Sequence, residues 1–205
     1  MYRSLPHFVL GYHGCDAEVA ERIFSGAEDL IPSVNSYDWL GNGIYFWENN
    51  PARALDFANQ LKSRKSKGRN AVKTPAVVGA VLNLGRCLNL LDASAIELVR
   101  SAHAFLKQEL GEQGVAMPVN ESGGSKTDLL LRHLDRAVIE HLHFTLESTG
   151  QQPFDSVRGV FVEGPAIYPN AGFHESSHIQ LCVRNTNCIK GYFRVRTASA
   201  EAVEL

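Results

Sequence analysis

The residues whose types and order carry chemistry lie in three separate stretches. The densest is Leu40-Gly-Asn-Gly-Ile-Tyr-Phe-Trp47, followed at once by Glu48-Asn-Asn-Pro-Ala-Arg-Ala-Leu-Asp-Phe57. Two glycines in three residues relax the backbone, a short aromatic run of high β propensity follows, and Asn50-Pro51 opens a helical pattern with the proline in its first turn. Turn, strand and helix in that order set Tyr45 and Phe57 as two walls of a slot, with Gly43 opening the main chain to a flat ligand. Such a slot suits an aromatic ring. The second stretch is Tyr12-His-Gly14, where a short apolar run ends. The third is His178-Ile-Gln-Leu-Cys-Val-Arg184, a strand pattern in which His178, Gln180 and Cys182 share one side.

The elements that must hold these residues are read from periodicity. Pro6 to Gly14 is expected to be a first strand, and Asp16 to cap a helix over Ala17–Phe24, where Val19, Ile23 and Phe24 recur at helical spacing. Ala76–Leu84 reads as a buried strand, continued by Cys87–Leu91 past a bend at Gly85. A helix over Ala93–Leu110 is ended by Gly111, and a second runs from Thr127 to Leu146. Three strands close the chain, over Ser156–Glu163, His178–Arg184 and Ile189–Val195. Strands therefore dominate both ends, with a helical segment at about 93–147 between them. The order favours an α+β domain with mainly antiparallel sheets over a parallel dinucleotide-binding fold.

At 205 residues the chain is expected to be one domain, and 44% hydrophobic with 20% charged residues is the composition of a folded soluble protein. A net charge of −2 gives no general attraction to nucleic acid or to an anionic membrane. No apolar run is long enough to span a bilayer and the start lacks the apolar centre of a signal peptide, so a cytoplasmic address without membrane contact is expected. Cys15, Cys87, Cys182 and Cys188 are scattered and read as reduced core thiols.

Other site patterns are weak. Ser122-Gly-Gly-Ser-Lys-Thr127 lacks the earlier glycine of a phosphate loop and the glycine before its lysine. Glu140-His-Leu-His143 spaces its histidines two apart, off a common helical face, so surface or partly buried histidines are expected and no metal site. Lys62-Ser-Arg-Lys-Ser-Lys-Gly-Arg69 is basic without interleaved aromatics and reads first as a solvated loop, with a phosphate or RNA contact as the lesser alternative.

His-Gly at 13–14 together with Gly-x-Gly-Ile-Tyr-Phe at 41–46 resembles the ADP-ribosyltransferase superfamily, in the branch of the poly-ADP-ribose polymerases and diphtheria-type toxins; the resemblance runs from residue 9 to 195. It implies an ADP-ribosyltransferase-like fold of split, mainly antiparallel sheets with flanking helices, and NAD as substrate. By that resemblance His13 bonds a ribose hydroxyl, Gly14 offers its main chain to the nicotinamide carboxamide, Tyr45 lines the nicotinamide pocket and Phe57 stacks on the ring. Arg53 lies near the place where polymerase-like members keep a serine for the carboxamide.

The family's late-strand catalytic glutamate falls on Gln180, and its acceptor-recognition loop on Gly164–Ser177, where Glu175 is the nearest carboxylate and Glu163 a second one on the neighbouring strand. Arginine-modifying members carry a glutamate where this chain has His178. The implied activity is mono-ADP-ribosyl transfer to a macromolecular acceptor, protein or nucleic acid, by a toxin, a defence factor or a housekeeping enzyme. An NAD glycohydrolase and a non-catalytic NAD- or ADP-ribose-binding module are the alternatives.

Overall fold

A computed structural model describes residues 8–64, 71–124 and 128–196. β1 (Val9–Asp16) passes directly into α1 (Ala17–Phe24). Asp16 makes the switch: one carboxylate oxygen accepts from the Glu18 amide at 2.9 Å, capping the helix as expected, and the other accepts from Lys73 and Thr74 amides at 2.7 and 3.0 Å. These backbone donors, Thr74 first, hold its carboxyl below the usual range, which is how a charge tolerates this buried place.

The turn–strand–helix unit follows as β2 (Ile44–Glu48) and α2 (Pro51–Ser63). Asn50 caps α2 by accepting from the Arg53 amide at 3.0 Å, and Pro51 occupies the first helical position, where no N–H is needed. Next come β3 (Pro75–Leu82), β4 (Cys87–Asn89), α3 (Ala93–Glu112), the two-residue strands β5 (Asn120–Glu121) and β6 (Leu131–Arg132), and α4 (His133–Ser148). β7 (Ser156–Phe161), β8 (His178–Val183) and β9 (Ile189–Arg194) end the described chain. The basic segment from Lys65 onward, Ser125–Thr127 of the phosphate-loop fragment and the residues before Phe8 lie outside the described residues.

Seven strands form one sheet in the order β4-β7-β8-β2-β1-β3-β9, antiparallel everywhere except between β4 and β7. The expectation of an α+β domain with mainly antiparallel pairing agrees with this. The sheet cannot be flat. β3 and β4 stand five steps apart, about 24 Å at ordinary strand spacing, while residues 83–86 between them reach at most about 18 Å. The sheet therefore curls, and its weak seam is the β1–β2 joint, where only Gly11↔Glu48 and Tyr12↔Trp47 are in register, against eight pairs between β1 and β3.

Inside the curl, Ile44, Phe46, Leu181 and Val183 of one half meet Val78, Ala80 and Leu82 of the other in a single core. A second core lies on the opposite face of the β7–β8–β2 half, where Leu88, Val157 and Cys182 pack under α3 and α4 through Ala102, Leu106, Val138, Ile139 and Leu142. Cys15, Cys182 and Cys188 are buried thiols, and Cys87 is partly buried. Among the described residues no helix is long and apolar enough to cross a membrane.

Four local expectations are corrected. β4 does not continue β3, because Gly85, at φ +59°, packs against Asp155 and turns the chain to the other edge. α3 runs through Gly111 and stops one residue later, at Glu112, in a Schellman turn, with Gly114 at φ +67° and the Val115 amide donating to Leu110 O at 2.8 Å. α4 starts at His133 rather than Thr127, since Asn120 Oδ1, on β5, accepts from the Leu134 and Asp135 amides at 2.9 and 3.2 Å and caps the helix. His143 is 1% exposed, on the Ile139–Leu142–Leu146 face; its Nδ1–H donates to Ile139 O at 2.8 Å, and burial drives its pKa down to about 4, so the ring enters the core neutral.

Candidate functional site

The two halves of the sheet part beyond Tyr12↔Trp47, and His13 stands at the parting. In the alternation of an antiparallel ladder Gly14 and Tyr45 are the next pair that would exchange main-chain hydrogen bonds. They do not pair. His13 Nδ1–H instead donates to the Tyr45 carbonyl at 2.8 Å, taking the acceptor that the Gly14 amide would have used. Gly14 points its N–H and C=O to the same side as Leu10, whose carbonyl accepts from Asn49, so both groups face the gap between β1 and β2.

The bond to a carbonyl fixes the His13 tautomer and leaves Nε2 as an acceptor, while burial lowers its pKa and keeps the ring neutral. Its ring meets Phe46 edge-on at 6.0 Å, on the inner face of the curl. Gly14 is needed for a second reason: a Cβ there would lie 2.1 Å from Ala54 O and 3.3 Å from the Ala58 methyl, so its absence lets α2 lie directly on β1.

α2 thereby brings Phe57 and Arg53 to the same side as Gly14, Tyr45 and Trp47. Phe57 packs on Trp47, with ring centres 5.0 Å apart and planes at 45°, so its aromatic neighbour is Trp47 rather than Tyr45. Tyr45 is anchored at its far end: the hydroxyl donates to Gly41 O at 2.8 Å and accepts from the Leu40 amide at 3.1 Å, and burial raises its pKa well above the phenol range. The freedom of Gly41 and Gly43 is taken up by protein groups. A Cβ on Gly41, at φ +85°, would meet Glu140 Oε1 at 2.4 Å, and one on Gly43 would meet Cys182 Sγ and Val183 O at 2.6 Å each.

Glu140 is the organiser of this turn, and its only trace in the sequence is a rejected metal pattern. Its carboxylate accepts from the Asn42 amide at 2.8 Å, from Asn42 Nδ2 at 3.0 Å and from Arg184 Nη1 at 2.5 Å. Burial opposes its ionisation, but Arg184 and the Asn42 amide prevail and its pKa is lowered.

Gln180 lies opposite Trp47 on β2 and Gly159 on β7, one strand beyond the gap. Its Oε1 accepts from Trp39 Nε1 at 2.7 Å. Trp39 stands edge-on to Phe161 at 4.9 Å, Phe161 stacks on His178 at 5.4 Å, and the Arg132 guanidinium lies 4.2 Å from the Phe161 ring centre and 5.2 Å from that of Trp39. Trp39 escaped sequence reasoning because it belongs to no periodic run; its only signal is a large N–H-bearing aromatic just before the glycine turn.

Arg53 pairs with Glu163 at 2.6 Å, so this carboxylate is neutralised by the very residue named as a ligand contact. Glu175 is exposed in the segment before β8, and among the described residues its carboxylate makes no hydrogen bond or ion pair. Around Arg53 three buried polar atoms have no hydrogen-bond partner among the described residues: Arg53 Nε, Trp47 Nε1 and His178 Nε2. His178 Nδ1–H donates to Ser176 O at 2.6 Å, and burial depresses its pKa, so Nε2 carries a lone pair.

Among the described residues no group of three or more His, Cys, Asp or Glu is arranged to hold a metal ion. Two surface hollows lie elsewhere, both bordered by Asp155 and Asn185.

No protein-family model and no solved structure matches the chain. An uncharacterized protein of Methanocaldococcus jannaschii is 49% identical over 37 residues, 18% of this chain and 17% of that protein's length.

Proposed function

We propose that the chain is a mono-ADP-ribosyltransferase with an ADP-ribosyltransferase-like fold, moving ADP-ribose from NAD to a protein or nucleic-acid acceptor and releasing nicotinamide. The observation that carries this reading is the capture of the Tyr45 carbonyl by His13, which leaves the Gly14 N–H and C=O turned into a gap between strands. A primary carboxamide is the complement of that pair, since it holds one acceptor and one donor on a single carbon. The nicotinamide ring then lies along the aromatic wall of Tyr45, Trp47 and Phe57, and neutral His13 Nε2 accepts from a ribose hydroxyl.

In the reaction the bond between ribose C1′ and the pyridinium nitrogen breaks, both electrons leave with nicotinamide, and an acceptor oxygen or nitrogen bonds to C1′ and loses its proton. The protein's part is to hold the ring flat and the ribose fixed while positive charge develops on the sugar. Charge stabilisation is where this site is sparing: Gln180 is neutral and Glu163 is paired with Arg53. That observation favours, as the second reading, a module that binds NAD or ADP-ribose without cleaving it.

Labelled NAD incubated with the protein, alone and with cell extract or total RNA, tests the proposal. Label on a macromolecule supports transfer, and free ADP-ribose supports hydrolysis. Saturable binding without nicotinamide release supports the module, and no binding at all removes all three.

A further inference from the structure

Trp39 and Gln180 are 141 residues apart in sequence and joined by one hydrogen bond of 2.7 Å. An indole nitrogen can only donate, so the atom it meets must be the amide oxygen, and the flip of the Gln180 side chain is thereby fixed. The direction of the flip follows from Gly159. A Cβ on Gly159 would lie 2.7 Å from Trp39 Cη2 and 3.1 Å from Cζ3, so the indole rests on the β7 side of Gln180. Gln180 Oε1 is drawn to that side, and because an amide's oxygen and nitrogen diverge from one carbon, we infer that its NH2 turns toward β2, where Trp47 is the register partner. No described residue accepts from that NH2.

We propose that Trp39 is a positioning residue that locks Gln180 as a hydrogen-bond donor toward the cleft, so that the ligand atom met there is a sugar or phosphate oxygen accepting from the amide. The inference rests on the reading of the cleft as an NAD site. It narrows the role of Gln180, since a free glutamine turns either its oxygen or its NH2 to a ribose hydroxyl, and this one turns its NH2. Gly159 supplies the room, Phe161 and Arg132 hold the indole in place, and β8 carries the amide.

The test is a double-mutant cycle with NAD titrations on wild type, Trp39→Phe, Gln180→Ala and the double variant, alongside ligand-free hydrogen exchange of the Trp39 indole N–H. Trp39→Phe is expected to weaken NAD binding about fivefold in the wild-type background and not at all in Gln180→Ala, as befits one lost neutral hydrogen bond acting through a single residue. Gly159→Ala, which displaces the indole without altering either partner, is expected to reproduce the Trp39→Phe loss. Equal losses in both backgrounds overturn the proposal. Without ligand, the indole proton should exchange slowly in wild type and rapidly in Gln180→Ala; rapid exchange in both overturns the lock itself. Slow exchange in a wild-type protein that binds no NAD upholds the lock and refutes the NAD reading instead.

Discussion

At the scale of single residues, the site is governed by which atom of each polar side chain is already in use. His13 has spent Nδ1–H on a main-chain carbonyl and offers a lone pair; Gln180 has spent its oxygen on Trp39 and offers N–H. Gln180→Glu should therefore change the chemistry more than the shape. Under the proposed function, a carboxylate keeps one oxygen on Trp39 Nε1 and presents the other, with negative charge, toward the ribose on which positive charge would develop. Nicotinamide release measured at saturating NAD is expected to rise about tenfold or more, and a rate equal to or below wild type contradicts the assignment of position 180 to the reacting side of the cleft.

His143 gives a pH prediction outside the cleft. Its folded pKa of about 4 lies below the unfolded value of 6.5, so the unfolded state binds more protons between those limits and stability falls as pH drops through that window. Arg184, Glu140 and Arg86 are the charges that face it. Urea unfolding at pH 7 and pH 4.5 should show a smaller acid loss in His143→Gln than in wild type, by roughly 2–3 kcal/mol. Identical losses would show that the ring is not buried neutral.

At the scale of elements, the glycine turn, β2 and α2 form a unit whose existence was legible and whose supports were not. Asn50-Pro51 announced the start of α2, and the aromatic run announced β2, because capping and strand propensity are local. Glu140 was not legible: it contacts Asn42 from 98 residues away, and nothing in a helical repeat distinguishes an anchoring carboxylate from a solvated one. The same limit hid the continuation of the chain after Gly85 and the cap that Asn120 places on α4, both made by partners distant in sequence. Glu140→Ala leaves Arg184 without its partly buried counter-charge and the Asn42 amide without an acceptor. A loss of about 2–4 kcal/mol in chemical denaturation is expected, with faster exchange of the Asn42 and Gly43 amides. A loss under about 0.5 kcal/mol would mean that the turn holds its shape unaided.

At the scale of the whole molecule, a curled sheet with a short seam brings residues of distant segments to one place in the fold. His13 and Gly14 come from the first strand, Tyr45 and Trp47 from the strand across the seam, Phe57 and Arg53 from α2, and Gln180 from β8, two strands from β1. The turn–strand–helix pattern offered Tyr45 and Phe57, and the family resemblance offered His13, Gly14, Arg53 and Gln180, but only the register shows that β1 and β2 stop pairing after Tyr12↔Trp47, before Gly14 could join Tyr45. The central claim is that this interruption receives the nicotinamide carboxamide. Hydrogen exchange of the Gly14 amide, with and without saturating NAD, measures it directly. Exchange that is rapid in the free protein and slowed at least about tenfold by NAD, but not by ADP-ribose, is the predicted result, since only NAD carries the carboxamide. A Gly14 amide that exchanges at the same rate with and without NAD would contradict it.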